Sequence, residues 1–233
     1  MISKFDIIIY LETLLKKNIK NITKEELLKE KSITLEFKES DYDEENFDLH
    51  DIIKIFPNLE KINLKNGKID RTTLKILSMV KLKSLSLINC GIQSGLSFQN
   101  LLYLKELSII NSSVLNYDFL KTLSKDLKVL LIRNPLDETL INISDIKQYS
   151  ELSNLYLEKC VVDNIDELIS FSKLSTLSLL WSDINSIDDS DVFCKIPSLN
   201  ELYISDCYCT PSLIKKIPKY INIYKNLNHL VLE

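Results

Sequence analysis

Five cysteines, two histidines and two acid-rich stretches have the widest chemical range in this 233-residue chain. Cys207 and Cys209 stand one residue apart, like half of a thiolate metal site. No second Cys or His pair accompanies them, and the spacings of zinc ligation are absent. The stretches "DYDEEN" (41–46) and "DINSIDDSD" (183–191) offer closely spaced carboxylates without the glycine and distal glutamate of a calcium loop, so solvated loops are expected there. His50 and His229 are the only imidazoles, and no pattern brings either beside a serine or cysteine nucleophile. Three glycines do not make a phosphate-cradling loop. The expectation is a protein that is not an enzyme and carries neither metal nor cofactor.

Composition narrows the partner class. A hydrophobic content of 45% supports a substantial core and is far from that of a disordered chain. Net charge is −4, and among 29 basic residues only Arg71 and Arg133 are arginines, so the Arg-rich footprint of a nucleic-acid binder is missing and no nucleic-acid partner is expected. The apolar N-terminal run "FDIIIYLETLL" is broken by Asp6 and Glu12 and is too short to span a bilayer, and no small-residue cleavage site follows it. A cytoplasmic protein without membrane contact is expected, with export by a signal-independent route compatible with the same sequence. Alanine is absent while Ile, Lys and Asn are abundant, a bias attributable to an AT-rich genome, so asparagine frequency alone says little. Charge is also uneven: residues 51–83 carry eight basic and three acidic side chains, whereas 131–200 carry five basic and twelve acidic.

The element that positions all of these residues is a repeat. "LEKINLKNGKI" (59–69), "LKSLSLINCGI" (82–92), "LKELSIINSSV" (104–114), "LSNLYLEKCVV" (152–162), "LSTLSLLWSDI" (174–184) and "LNELYISDCYC" (199–209) share one pattern. Counting the first apolar residue as position 1, apolar residues recur at 4, 6 and 11, with a small residue at 9. A weaker copy, "LKVLLIRNPLD" (127–137), loses its second half at Pro135 and Asp137. "SITLEFKESDY" (32–42) is expected to open the series with Phe37 at position 6, and "LNHLVLE" (227–233) to close it with Leu232 there.

The pattern resembles the leucine-rich-repeat family, whose motif L-x-x-L-x-L-x-x-N/C-x-L is matched over roughly residues 32–233. After Val114 come Tyr117, Leu120 and Leu123, and after Val162 come Ile165, Leu168 and Phe171. That beat is similar to the 22-residue subtype of phosphatase regulatory subunits and internalins. The resemblance implies an α/β solenoid, a curved horseshoe with a parallel β-sheet on its concave face and short helices or 3-10 turns on its convex face. Physics gives the same outline: positions 4 and 6 alternate inward along a short strand, and no unit can bury its apolar face without its neighbours. Residues 1–31 are expected to form an N-terminal helical cap, with Ser3/Asp6 and Thr23/Glu26 as cap-like pairs, and residues 32–233 about nine repeats, the last incomplete. The final copy ends just after a strand, which predicts either a longer protein or self-association through that edge.

This register reassigns the cysteines. Cys90, Cys160 and Cys207 fall at position 9, where the family places Asn or Cys to satisfy backbone groups at the turn; Cys209 falls at a core position, and Cys194 is expected to be buried. Strands two repeats apart are separated by about 10 Å, beyond the ~7 Å limit for disulfide Cα atoms, so free thiols and a reducing compartment are expected.

Interest passes to positions 5 and 7, which point away from the core. There Ile88, Ile110, Leu131, Arg133, Tyr156, Leu180 and Tyr203 lie on strands stacked side by side, with Trp181, the only tryptophan, following on the rim. A contiguous apolar and aromatic patch of this kind marks an interaction site, and Tyr, Trp and Arg are the types that anchor protein interfaces. Lys83, Lys105 and Lys128 at position 2 form a flanking ladder that suits an acidic partner or a solvated edge. The expected function is a non-enzymatic protein–protein interaction module binding a partner on its concave face. The alternatives are a regulatory or targeting region of a larger enzyme or effector, and a small-molecule or carbohydrate reader.

Overall fold

In the computed structural model the described residues are 13, 15, 16, 18–37, 49–133, 140–184, 192–205, 219 and 221–226. Fifteen strands occur among them. In chain order they are β1 (Ser32–Glu36), β2 (Lys61–Lys65), β3 (Lys68–Ile69), β4 (Ser84–Ile88), β5 (Gly91–Ile92), β6 (Glu106–Ile110), β7 (Ser113–Val114) and β8 (Val129–Arg133). The rest are β9 (Leu140–Asn142), β10 (Asn154–Glu158), β11 (Val161–Asp163), β12 (Thr176–Ser178), β13 (Asp183–Ile184), β14 (Glu201–Ser205) and β15 (Asn222–Asn226).

Nine of them pair in parallel in the order β1-β2-β4-β6-β8-β10-β12-β14-β15. Two smaller sheets, β3-β5-β7 and β9-β11-β13, run along the turn that follows. Every pairing joins one repeat to the next, because a strand of five residues finds its hydrogen-bonding partner only in the neighbouring unit. The returns carry short helices such as Leu49–Ile55 and Arg71–Leu77, and 3-10 turns at Asp118–Thr122 and Ile165–Ser170. The chain has the leucine-rich-repeat solenoid architecture that its pattern implies.

The core lies between sheet and returns. Positions 1, 4, 6 and 11 bury one leucine, isoleucine or valine each, as Leu82, Leu85, Leu87 and Ile92 do in one repeat and Leu152, Leu155, Leu157 and Val162 in another. The apolar beat of the returns turns inward as well: Tyr117, Leu120 and Leu123 are buried, and so are Ile165, Leu168 and Phe171. Phe98 and Phe119 stack at 4.8 Å between ring centroids. Tyr149 is buried whole, yet its hydroxyl is satisfied, donating to the Leu120 carbonyl and accepting from the Leu123 N–H at 3.0 Å. Burial pushes this phenol above its ordinary range.

Position 9 forms a hydrogen-bond ladder. The Cys90 thiol reaches the carbonyls of Leu64 and Ile88, both at 3.4 Å, while its N–H donates to Ser112 Oγ at 3.0 Å. The Ser112 hydroxyl in turn lies 3.0 Å from the Ile110 carbonyl and 3.3 Å from that of Leu87. Cys160 and Ser182 repeat this arrangement, the Cys160 N–H donating to Ser182 Oγ at 3.2 Å. A small side chain with one donor and room to accept is what this turn requires. Gly67 replaces it in the second repeat for a steric reason, since a Cβ there would come within 2.8 Å of two Phe37 ring carbons.

The first copy differs from expectation. Leu35, not Phe37, pairs with Leu64 at position 6, and Ile33 pairs with Ile62, so the strand is registered two residues earlier. Ile33 and Leu35 satisfy the inward alternation of β1, and Phe37, beyond its end, packs partly buried against the core beside Gly67. At the other end, the strand that pairs with β14 is β15, where Ile223 faces Leu202 and Lys225 faces Ile204. A pattern anchored on leucine passes over a strand with lysine at position 6. Residues 227–233, assigned to the last copy, lie outside the described residues.

Toward the N-terminus, Thr23 caps the helix Lys24–Lys29. Its hydroxyl accepts from the Glu26 N–H at 3.3 Å, and the Glu26 carboxylate accepts from the Thr23 N–H at 3.0 Å. Ser3 and Asp6 lie outside the described residues, as do 41–46, 185–191, Cys207, Cys209 and His229. No helix among the described residues is long and apolar enough to cross a membrane.

Candidate partner-binding face

Register places six of the eight candidate residues in two rows, Leu180 and Trp181 lying beyond the end of β12. Along position 5, Ser108, Leu131, Tyr156, Ser178 and Tyr203 follow one another on β6, β8, β10, β12 and β14. Along position 7, Ile88, Ile110, Arg133 and Glu158 do the same from β4 to β10. All eight candidates are accessible, although Ile88, Ile110, Leu131, Arg133, Tyr156, Leu180 and Tyr203 are only half-buried and Trp181 alone is widely exposed. The rows grade from polar to aromatic. Asn63 donates to Thr34 Oγ1 at 3.0 Å and Lys65 pairs with Glu36 at 3.8 Å at the start; isoleucines and Leu131 follow, then the tyrosines.

Three outward positions are closed. Glu158 is 4% exposed and Ser178 1%, and Thr176 is buried beside them. The Glu158 carboxylate receives the Arg133 guanidinium through Nε and Nη2, and the Ser178 hydroxyl donates to its other oxygen at 3.4 Å. A buried carboxylate must be paired in this way to avoid a large desolvation cost. Arg133 is therefore both a surface group and the counter-ion of a buried acid. Thr176 Oγ1 donates to the Glu201 carboxylate at 3.3 Å, and Asn154 Nδ2 to the Tyr156 hydroxyl at 3.3 Å.

The rim at position 8 obeys a backbone rule. Asn66, Asn89 and Asn111 have φ of 57°, 53° and 50°, in the left-handed region where asparagine costs least among side-chain-bearing residues. Asn89 Nδ2 donates to Asn66 Oδ1 at 3.2 Å. Lys159 and Trp181 hold the same position with φ of 55° and 54°. The Lys159 ammonium sits 5.7 Å from the Trp181 ring centroid, and the ring remains 45% exposed. Beside this pair β12 stops at Ser178, two residues short of its neighbours' length, and the Leu180 carbonyl accepts the Lys159 N–H at 2.9 Å.

The lysine ladder is not uniform. Lys83 binds Glu60 at 2.7 Å, and Lys31 binds the same carboxylate at 3.2 Å; hydrogen bonds from both ammonium groups, Lys83 first, hold this carboxyl below its usual range. Lys105 and Lys128 are exposed. Cys90 and Cys160 are buried, and burial pushes the Cys90 thiol up. Cys194, expected to be buried, is half-buried on the short helix Val192–Lys195, next to exposed Lys195.

Sequence patterning missed a second set of exposed apolar groups off the concave face: Met79, Leu102, Tyr103 and Leu115, with Lys81 Nζ 5.9 Å from the Tyr103 ring centroid. The run "LLYL" (101–104) carries the signal, since the repeat needs only Leu101 and Leu104 inward.

No family model and no curated protein matches the chain. Solved structures do match, through fold. An internalin, InlF, from Listeria monocytogenes superposes with a TM-score of 0.56 at 20% identity, covering 76% of this chain and 48% of its own. The Arabidopsis receptor kinase HAESA, in complex with the peptide hormone IDA and the co-receptor SERK1, gives 0.51 at 17% identity over 68% of this chain and 27% of its own. TLR13 in complex with ssRNA13 gives 0.52 at 17% identity over 88% of this chain and 34% of its own. The chain thus spans about half the internalin's length and about a quarter of HAESA's.

Proposed function

We propose that this chain is a non-enzymatic protein-binding module that engages its partner on the concave face, through Ile88, Ile110, Leu131, Arg133, Tyr156, Leu180, Tyr203 and the rim residue Trp181. The observation that carries this is the position-5 row, on which Leu131, Tyr156 and, across buried Ser178, Tyr203 stand in register, apolar and aromatic groups at sites the fold does not need for its core. Aromatic side chains at the centre of a contact contribute most of the binding energy in protein interfaces. The likeness to HAESA, described with a peptide hormone, supports a peptide or protein ligand. TLR13 is described with RNA on the same fold, so the preference for protein rests on composition: two arginines, net charge −4 and twelve acidic side chains across residues 131–200. Cys90 and Cys160 are buried and form no disulfide, which favours a reducing compartment.

The test is capture from native lysate with the wild-type chain and with Tyr156→Ala/Tyr203→Ala, followed by mass spectrometry. A specific partner retained by the wild type should bind the variant at least about tenfold more weakly, with little change in thermal midpoint. A partner held equally by both would remove the concave face from the assignment.

A further inference from the structure

Position 8 is occupied by Asn66, Asn89, Asn111, Asn134, Lys159, Trp181 and Asp206 along the repeats. Asn and Asp tolerate left-handed backbone because their short polar side chains bond locally; a bulky aromatic crowds the following carbonyl. Lys159 and Trp181 are the two departures, they are adjacent, and both hold φ above 50°. The turn therefore bears strain that an asparagine would relieve, and strain of this kind collects where a side chain is used. Trp181 is not held there as core, since nearly half of it is exposed.

We propose that Trp181 and Lys159 form a docking point for a short acidic segment of the partner, one that carries an apolar side chain beside a carboxylate. This deepens the concave-face reading above and rests on it. Charge complementarity selects the occupant. Lys159 is exposed, its ammonium faces the indole, and no carboxylate of the described residues lies within 4.0 Å of it. Glu158, the acid preceding it in the chain, is buried and committed to Arg133 and Ser178. A ligand carboxylate can thus meet Lys159 while its apolar neighbour packs on the indole and Leu180. In sequence the stretch 131–200 has twelve acidic residues against five basic, so repulsion limits the segment to a carboxylate facing Lys159 and disfavours a polyanion such as RNA.

Trp181 is the only tryptophan, so its emission reports this point alone. The probes are short synthetic peptides with Asp or Glu flanking Leu or Phe, the same peptides with Lys in place of the acids, and single-stranded oligouridine. Saturable change in Trp181 emission with the acidic peptides, absent with the basic ones and abolished in Lys159→Ala, is the expected result. Trp181→Asn should weaken binding of a dye-labelled acidic peptide about thirtyfold, as loss of an anchor residue does. The same variant should raise the thermal midpoint by about 2–4 °C through relief of backbone strain. A lowered midpoint would make Trp181 a structural residue, and saturation by oligouridine alone would make the occupant RNA; either overturns the proposal, as does silence with every peptide. Tyr156→Ala/Tyr203→Ala separates the two readings. Loss of the natural partner in that variant, with Trp181→Asn binding normally, removes the docking point and leaves the concave face standing.

Discussion

Ser112 and Cys90 are joined across a repeat boundary: the serine hydroxyl accepts the buried Cys90 N–H at 3.0 Å while pointing its own proton at carbonyls of Ile110 and Leu87. One hydroxyl proton serves one carbonyl at a time, so this serine is fully used. Ser112→Ala leaves the Cys90 N–H buried and unpaired and should cost about 1–3 kcal/mol. Ser182→Ala should do the same at Cys160, while Cys90→Ser, which keeps a donor, stays within about 1 kcal/mol of wild type. Equilibrium urea unfolding measures all three; a Ser112→Ala midpoint equal to wild type would refute the role assigned to the ladder.

Alkaline pH should weaken the fold. Cys90 and Tyr149 both bind their protons more tightly when folded, because burial disfavours the thiolate and phenolate. A group with a raised folded pKa leaves stability untouched below its unfolded value and withdraws it as pH rises toward the folded one. The decline should begin in the ordinary thiol and phenol range, about pH 8.5–10, and be smaller in Cys90→Ser. Chemical denaturation across that range in both proteins, with identical slopes, would count against burial as the cause.

Two glycines should respond oppositely to a methyl group. At Gly67 an added Cβ meets the Phe37 ring at 2.8 Å, whereas at Gly91 nothing lies within 4 Å. Gly67→Ala is expected to destabilise by about 1–3 kcal/mol through overpacking. Gly91→Ala should stabilise by roughly 0.4–1 kcal/mol through the unfolded chain. If Phe37 is the obstacle, Phe37→Ala should cancel most of the Gly67→Ala penalty in a double-mutant cycle.

Arg133 is an unsuitable probe of the concave face taken alone. Arg133→Ala strands the buried Glu158 carboxylate and should cost about 1–3 kcal/mol, discounted from a fully buried pair because the arginine side chain is 43% exposed. Adding Glu158→Ala should recover much of that loss. Thermal melts of the two variants distinguish this from a purely surface arginine, for which neither change would register.

The repeat, its inward positions and the face that carries Tyr156 and Tyr203 were legible in the sequence because leucine recurs at positions facing a common core. The ends were not. Ile33 and Leu35 fit the alternation as well as Leu35 and Phe37 do, and only pairing with β2 selects the register. In β15, Lys225 occupies the position 6 that elsewhere holds leucine or isoleucine. On the face itself, alternation assigns direction but not access, so the closure of Ser178 and Glu158 beside larger neighbours emerged only in three dimensions. Position 8 lay outside the hydrophobic pattern, and its backbone requirement became visible through φ.

Among the described residues the turn-side strands form two sheets, β3-β5-β7 and β9-β11-β13, whereas the concave sheet runs unbroken from β1 to β15. In a quasi-one-dimensional array each unit is held through its nearest neighbours, so this one sheet carries the coupling along the paired repeats. The isoleucines of β4 and β6 and the tyrosines of β10 and β14 therefore share one hydrogen-bonded scaffold, and a ligand that spans them meets side chains whose spacing is set by strand pairing.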